Sequence, residues 1–146
     1  MTFRRIGLRM ILALGTGAII GRPVPAAEAQ KNANEVADYL ETYRAGAQAR
    51  VPEDEYNLGA SYRWGLGLEQ NLSLAAQWIR KAAEQGYPIA ERTIGEMYEK
   101  GEGLTASDEE AKRWYKHGAQ HGDTIAQKDL AALEAKIHPV PRGPQF

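Results

Sequence analysis

The stretch "GLGLEQNLSLAAQWIRKAAEQG", Gly65 to Gly86, opens with two glycines one residue apart and closes with a third around an alanine-rich run. It returns 36 residues later as "GEGLTASDEEAKRWYKHGAQHG", Gly101 to Gly122. Residues 57–92 laid over 93–128 give eleven ungapped identities. They are Gly59/Gly95, Tyr62/Tyr98, Gly65/Gly101, Gly67/Gly103, Leu68/Leu104, Ala75/Ala111, Trp78/Trp114, Ala83/Ala119, Gly86/Gly122, Ile89/Ile125 and Ala90/Ala126. The identities fall on small, aromatic and aliphatic positions while charged positions drift, which is the mark of packing constraint rather than of a shared catalytic site.

Apolar residues within each copy recur at helical steps. Ala90, Ile94, Tyr98 and Gly101 lie four, four and three apart, and Ala75, Trp78, Ile79, Ala82 and Ala83 form one stripe. Each copy therefore holds two helices, A and B, with the tryptophans on the buried face. The first glycine of each Gly-x-Gly pair ends helix A in the left-handed conformation. The second lets the chain turn back, and Leu68 and Leu104 plug the turn. Helix B starts at Asn71 and at Ser107, both N-cap residues. Ser107 with Glu110 has the capping-box spacing. Helix B ends at Gly86 and Gly122, and Pro88 suits the first turn of the next helix. Gly118, inside a helix, should cost about 1 kcal/mol relative to alanine.

The flanks keep the register. "ETYRAGAQARVPEDEYN" (41–57) shares Arg44/Arg80, Ala47/Ala83, Pro52/Pro88 and Glu55/Glu91 with the first copy, which implies a degenerate helix B over about 34–49. Ala126, Leu130, Leu133 and Ile137 mark a last helix A, with Ala131 and Glu134 replacing the repeat's glycine and tyrosine. That is expected of a polar capping element. The expected organisation is a signal peptide (1–29), a linker with the half-repeat helix (30–52), repeat 1 (53–92), repeat 2 (93–122), a capping helix (123–137) and a disordered proline-rich tail (138–146). The fold class is all-α, a short α-solenoid of antiparallel helix hairpins.

The joint pattern resembles the Sel-one-like repeat, a relative of the tetratricopeptide repeat. The first copy carries it as Leu58-Gly59-x-x-Tyr62-x-x-Gly65-x-Gly67-Leu68, Ala75-x-x-Trp78 and Lys81-Ala82-Ala83-Glu84-Gln85-Gly86. The second carries Ile94-Gly95, Tyr98, Gly101-Glu102-Gly103-Leu104, Ala111, Trp114, Ala119 and His121-Gly122. Asp54, Gly118 and His121 depart from the pattern. The resemblance implies a solenoid that binds a protein or peptide without cofactor.

The N-terminus is expected to direct export. Arg4, Arg5 and Arg9 precede the apolar run Met10–Ile20, and Ala27-Glu28-Ala29 offers a small-residue cleavage site. Eleven apolar residues make about 16 Å of helix against a hydrocarbon core of about 30 Å. A cleaved signal is therefore expected over a retained anchor, with the general secretory route ahead of a twin-arginine one. Cleavage after Ala29 leaves 14 basic and 18 acidic residues. Such a domain has no bulk charge for nucleic acid or anionic lipid. A periplasmic or secreted monomer is expected. The alternative is an envelope structural factor anchored by its N-terminal helix.

No chemistry stands out. There is no cysteine. His117 and His121 are four apart, but no acidic third ligand lies at a persuasive spacing, so no metal site is expected. Some cysteine-rich relatives of the family are linked to β-lactam binding, and a penicillin-recognising site needs Ser-x-x-Lys. Ser61, Ser73 and Ser107 are followed three residues on by Trp64, Ala76 and Glu110, so a hydrolase is only a remote alternative. The carboxylates Asp108–Glu110 fit the first turn of a helix. One position invites a partner. Trp64 and Arg63 replace the sister repeat's Lys100 and Glu99, away from the packing face, and predict a cationic, aromatic exposed edge with the make-up of an interface hot spot.

Overall fold

The structure is a computed structural model that describes residues 26–138. Residues 1–25 of the expected signal segment and 139–146 of the tail lie outside the described residues. Among the described residues six helices follow in order: α1 (Ala26–Gln48), α2 (Pro52–Trp64), α3 (Leu72–Glu84), α4 (Pro88–Lys100), α5 (Asp108–Gln120) and α6 (Thr124–Ile137). No strand occurs among the described residues. Among the described residues, α2/α3 and α4/α5 are the two A/B hairpins, α1 is a helix B with no helix A before it, and α6 is a helix A with no helix B after it. Each helix packs on its neighbours in sequence, the quasi-one-dimensional arrangement of a solenoid.

The corners form as the glycines require. Gly65 and Gly101 end α2 and α4 at φ 68° and 70°, and the following N–H groups of Leu66 and Glu102 return to the carbonyls of Ser61 and Met97 at 2.9 Å. A side chain on Gly103 would run into the backbone at Leu72–Ser73, so this glycine serves a close approach as well as a turn. Asn71 caps α3 by accepting from the Leu74 N–H at 2.9 Å, and Ser107 caps α5 by accepting from the Glu110 N–H at 3.2 Å. The capping box is only half made. The Ser107 N–H donates to the Tyr98 carbonyl at 3.0 Å, and the Glu110 carboxylate pairs with Arg113 at 2.7 Å.

The main core is Ala75, Ala76, Ile79, Ala82, Ala83, Ala90, Ile94 and Met97. A smaller cluster joins Ala111, Tyr115 and Leu133. Small residues dominate because the helices cross closely. A Cβ on Gly59 would sit 2.6 Å from Ile79 Cγ1, and one on Gly95 would sit 2.7 Å from Tyr115 Cδ1.

Three expectations are corrected. The tryptophans are not the centre of the buried face. Trp78 and Trp114 are half-buried, while the next residues, Ile79 and Tyr115, are 0% and 1% exposed. One residue turns a helix by more than a quarter turn, so the buried stripe is rotated toward Ile79 and Tyr115. Trp114 leans on the main core, and Trp78 carries the Lys81 ammonium 3.7 Å from its ring centroid. Gly118 is not a lost alanine either. It is buried, and a Cβ there would meet Ala126 Cβ at 3.0 Å. Lastly, α1 begins at Ala26 rather than near residue 34, so Ala27-Glu28-Ala29 lies within the helix. Nothing breaks it earlier. No glycine or proline occurs between Ala26 and Gly46, and most residues are good helix formers.

α6 packs on α5 and carries both buried and exposed positions. Ala126 and Leu133 are buried, while Ala131 is exposed. Glu134 accepts from Lys112 at 2.8 Å, and that hydrogen bond holds its carboxyl below the ordinary value.

Candidate interaction surface

The exposed edge expected at Arg63–Trp64 is half realised. Trp64, the last residue of α2, is 63% exposed. Arg63 is 5% exposed and turns inward, a correction to the cationic edge. Its Nη2 lies 2.8 Å from Glu102 Oε2 and 3.5 Å from Glu96 Oε2, and its Nε donates to Glu102 at 2.9 Å. The guanidinium also lies 4.9 Å from the Trp64 ring centroid. The Arg63 carbonyl accepts from Gln70 Nε2 at 2.8 Å. Arg63 is therefore a fixed support beneath an exposed tryptophan rather than a free cation.

The sister positions divide the same way. Lys100 is exposed. Glu99 accepts from the Tyr115 hydroxyl at 2.9 Å and lies 3.7 Å from Lys136 Nζ. The Tyr115 hydroxyl is pushed well above its ordinary value, first by burial and then by its bond to Glu99. Of the four residues, Trp64 and Lys100 face solvent at equivalent ends of neighbouring A helices, and Arg63 and Glu99 serve the interior.

A charge ladder runs across the A helices from Arg63. Glu96 also binds Arg92 at 2.6 Å, and Arg92 Nε reaches Asp123 at 3.0 Å. Asp129 completes an acidic cluster with Glu96, Glu99 and Asp123, and its carboxyl is pushed up, first by burial and then by Glu96. The sequence reading missed this ladder, because its partners lie 31–39 residues apart and differ between repeats. A second feature did carry a signal. Glu55 and Glu91, equivalent acids, are each 2% exposed. Each is answered from the end of helix B, Glu55 by Gln85 Nε2 at 2.5 Å and Glu91 by His121 Nδ1 at 2.7 Å. A glutamate repeated at one period marked a structural role.

The histidine pair is drawn apart. His121 faces Glu91, and the His117 ring lies 5.9 Å from the Trp114 ring. The Ser61 hydroxyl donates to the Asn57 carbonyl at 2.8 Å, and Ser107 is the α5 cap. An open depression of about 350 Å³ lies between α3 and the α4–α5 turn, lined by residues that include Ala76, Arg80, Lys81 and Leu104. Among the described residues no helix is long and apolar enough to cross a membrane, and no group of three or more potential ligands is placed to hold a metal.

A stack of A/B hairpins with Gly-x-Gly corners and an exposed tryptophan defines a helical-repeat scaffold. Two Sel1 repeats match the chain, at 52–87 and 88–123, and they place it among the Sel1 repeat proteins. The chain is similar to a solved Sel1 repeat protein from Oxalobacter formigenes, at 27% identity and a TM-score of 0.67 over 77% of this chain and 51% of that one. It is also similar in fold to c5321, described as a protective antigen present in uropathogenic Escherichia coli strains and displaying an SLR fold. There the identity is 23% and the TM-score 0.66, over 91% of this chain and 34% of that one. This chain thus spans about half or less of the length of those two proteins. No curated protein matches it. Sel1 repeat proteins generally mediate protein–protein interaction and are typically non-enzymatic scaffolds.

Proposed function

We infer that this protein is an exported, monomeric, non-enzymatic module that binds a protein or peptide in the cell envelope. The observation that carries the reading is Trp64, a large aromatic left 63% exposed on a support of buried charge. Interface hot spots are enriched in tryptophan and sit on well-packed ground. With Arg63 neutralised by Glu96 and Glu102, the site favours an apolar or aromatic side chain laid against the indole over the acidic ligand that a free arginine would attract. Export is supported by the basic and apolar order of Arg4–Ile20.

The test has two parts. Pull-down from envelope extract on the full chain, compared with Trp64→Ala, identifies a partner. Titration should then show Trp64→Ala weakening binding by about 2 kcal/mol with the melting temperature unchanged. Wild-type affinity for that variant rejects the site. N-terminal sequencing of exported protein should find a start near Gln30. An intact Met1 favours the anchored alternative.

A further inference from the structure

The 36-residue register shows what α1 lacks. In the full repeats, helix B meets its own helix A through Ala75 and Ile79 or through Ala111 and Tyr115, all at most 1% exposed. The mate presents a glycine there. A Cβ on Gly59 would crowd Ile79, and one on Gly95 would crowd Tyr115. One period earlier, the same two positions of α1 are Tyr39 and Tyr43. Tyr39 is 61% exposed, and its ring stacks on Tyr43 with centroids 6.4 Å apart. By contrast α1 buries Leu40 and Ala47, the equivalents of Ala76 and Ala83, as its contact with α2 requires. Among the described residues one face of α1 is covered, and the face that answers a helix A stands open.

Two sources of that helix fit poorly. The repeat's own hairpin would need Gly-x-Gly one period before Gly65 and Gly67, but Ala29 and Lys31 stand there, inside α1. A second copy could offer α6, the last helix A among the described residues. However, α6 carries Ala131 at the glycine position, where a Cβ meets the tyrosine, and Glu134 at the tyrosine position. The open face has a polarity of its own. Its stripe continues toward the N-terminus of α1 as Glu35 and Asn32, both exposed. Among the described residues Glu35 pairs only with Lys31 at 3.8 Å, with both side chains more than half exposed, a pair worth little.

We propose that the Tyr39–Tyr43 face of α1 is a socket for one amphipathic helix from another protein, which completes the half-repeat. The helix runs antiparallel to α1, as a helix A does. It carries glycine where it crosses Tyr43, an apolar residue against Tyr39, and a lysine or arginine near its C-terminal end opposite Glu35. The socket uses none of the residues around Trp64, so it stands or falls separately from that site.

The probe is the synthetic peptide 87–101, "YPIAERTIGEMYEKG", the helix A whose Gly95 already mates with a tyrosine-bearing helix B and which ends in Lys100. Labelled with fluorescein and titrated against the full chain by anisotropy, it should bind saturably. Tyr39→Ser, a change at an exposed position, should weaken binding about tenfold or more without moving the chain's melting temperature. Gly95→Leu in the peptide should do the same. Failure to bind, or equal binding by Tyr39→Ser and wild type, overturns the proposal. So does a dimer in sedimentation equilibrium that Tyr39→Ser dissolves, which gives the face to a second copy. Binding that appears only when Leu12→Asp breaks the apolar run also overturns it, because the chain's own upstream segment would then be the occupant.

Discussion

Arg63 and Trp64 are adjacent, and substituting each separates the interior from the surface. Arg63→Ala removes a cation that is 5% exposed and answers two carboxylates whose side chains are 23% and 29% exposed. Removing one member of a buried pair costs about 3–5 kcal/mol where the survivor stays dry. Here both survivors reach water, and Glu96 keeps Arg92 at 2.6 Å, so the electrostatic part is smaller. The lost packing of the arginine stem adds to it. The expected total is about 2–3 kcal/mol. At roughly 4 °C per kcal/mol for a domain of this size, the melting temperature should drop by roughly 10 °C. Urea titration followed by circular dichroism gives the free energy directly. Because the pair is mostly shielded, the loss should persist at high salt. Glu102→Gln should cost less, and the double variant should cost less than the sum of the two, as expected for residues in contact. An Arg63→Ala protein that melts within a degree of wild type refutes the buried ladder and returns Arg63 to the surface.

Further outcomes follow from particular contacts. His121→Ala leaves Glu91 buried without its donor and should cost about 1–3 kcal/mol in urea titration, whereas His121→Gln, the sister repeat's choice, should restore most of it. Gly95→Ala should destabilise despite the better helix propensity of alanine, because the new Cβ meets a Tyr115 ring whose hydroxyl is tied to Glu99; a raised melting temperature contradicts the close crossing. Asp129→Asn should raise stability at neutral pH by up to about 1 kcal/mol, since folding raises the Asp129 carboxyl through burial and Glu96 and the charged form is the disfavoured one. Tyr115 is kept protonated by folding while the unfolded chain ionises near pH 10. Its contribution is therefore whole below that pH and falls as pH rises past it, and Tyr115→Phe should flatten the alkaline limb of the stability profile.

The parts of this fold that could be read from the chain were those fixed by a residue's own backbone. Gly65 and Gly101 announce a left-handed corner because a side chain is disfavoured there, and Asn71 and Ser107 announce a cap because a short polar oxygen is needed. Such signals are local and recur at one period. The orientation of a helix about its axis is not local. Trp78 and Ile79 are both apolar neighbours on one stripe, and which goes deepest depends on how closely α2 approaches through Gly59. Arg63 was beyond local reading for the same reason. The carboxylates that bury it belong to the next repeat, and the repeat comparison alone sets it against Glu99, which suggests a freely varied surface position. Framework residues repeat because every hairpin needs them. Ladder residues differ because each contact between repeats is solved separately, with arginine from one side in repeat 1 and Arg92 to Asp123 in the next. Variation between repeats therefore marks two kinds of position, those facing a partner and those facing the neighbouring repeat, and only burial tells them apart. Side by side, Arg63 is buried against the next repeat, and Trp64 is exposed and proposed to meet a partner.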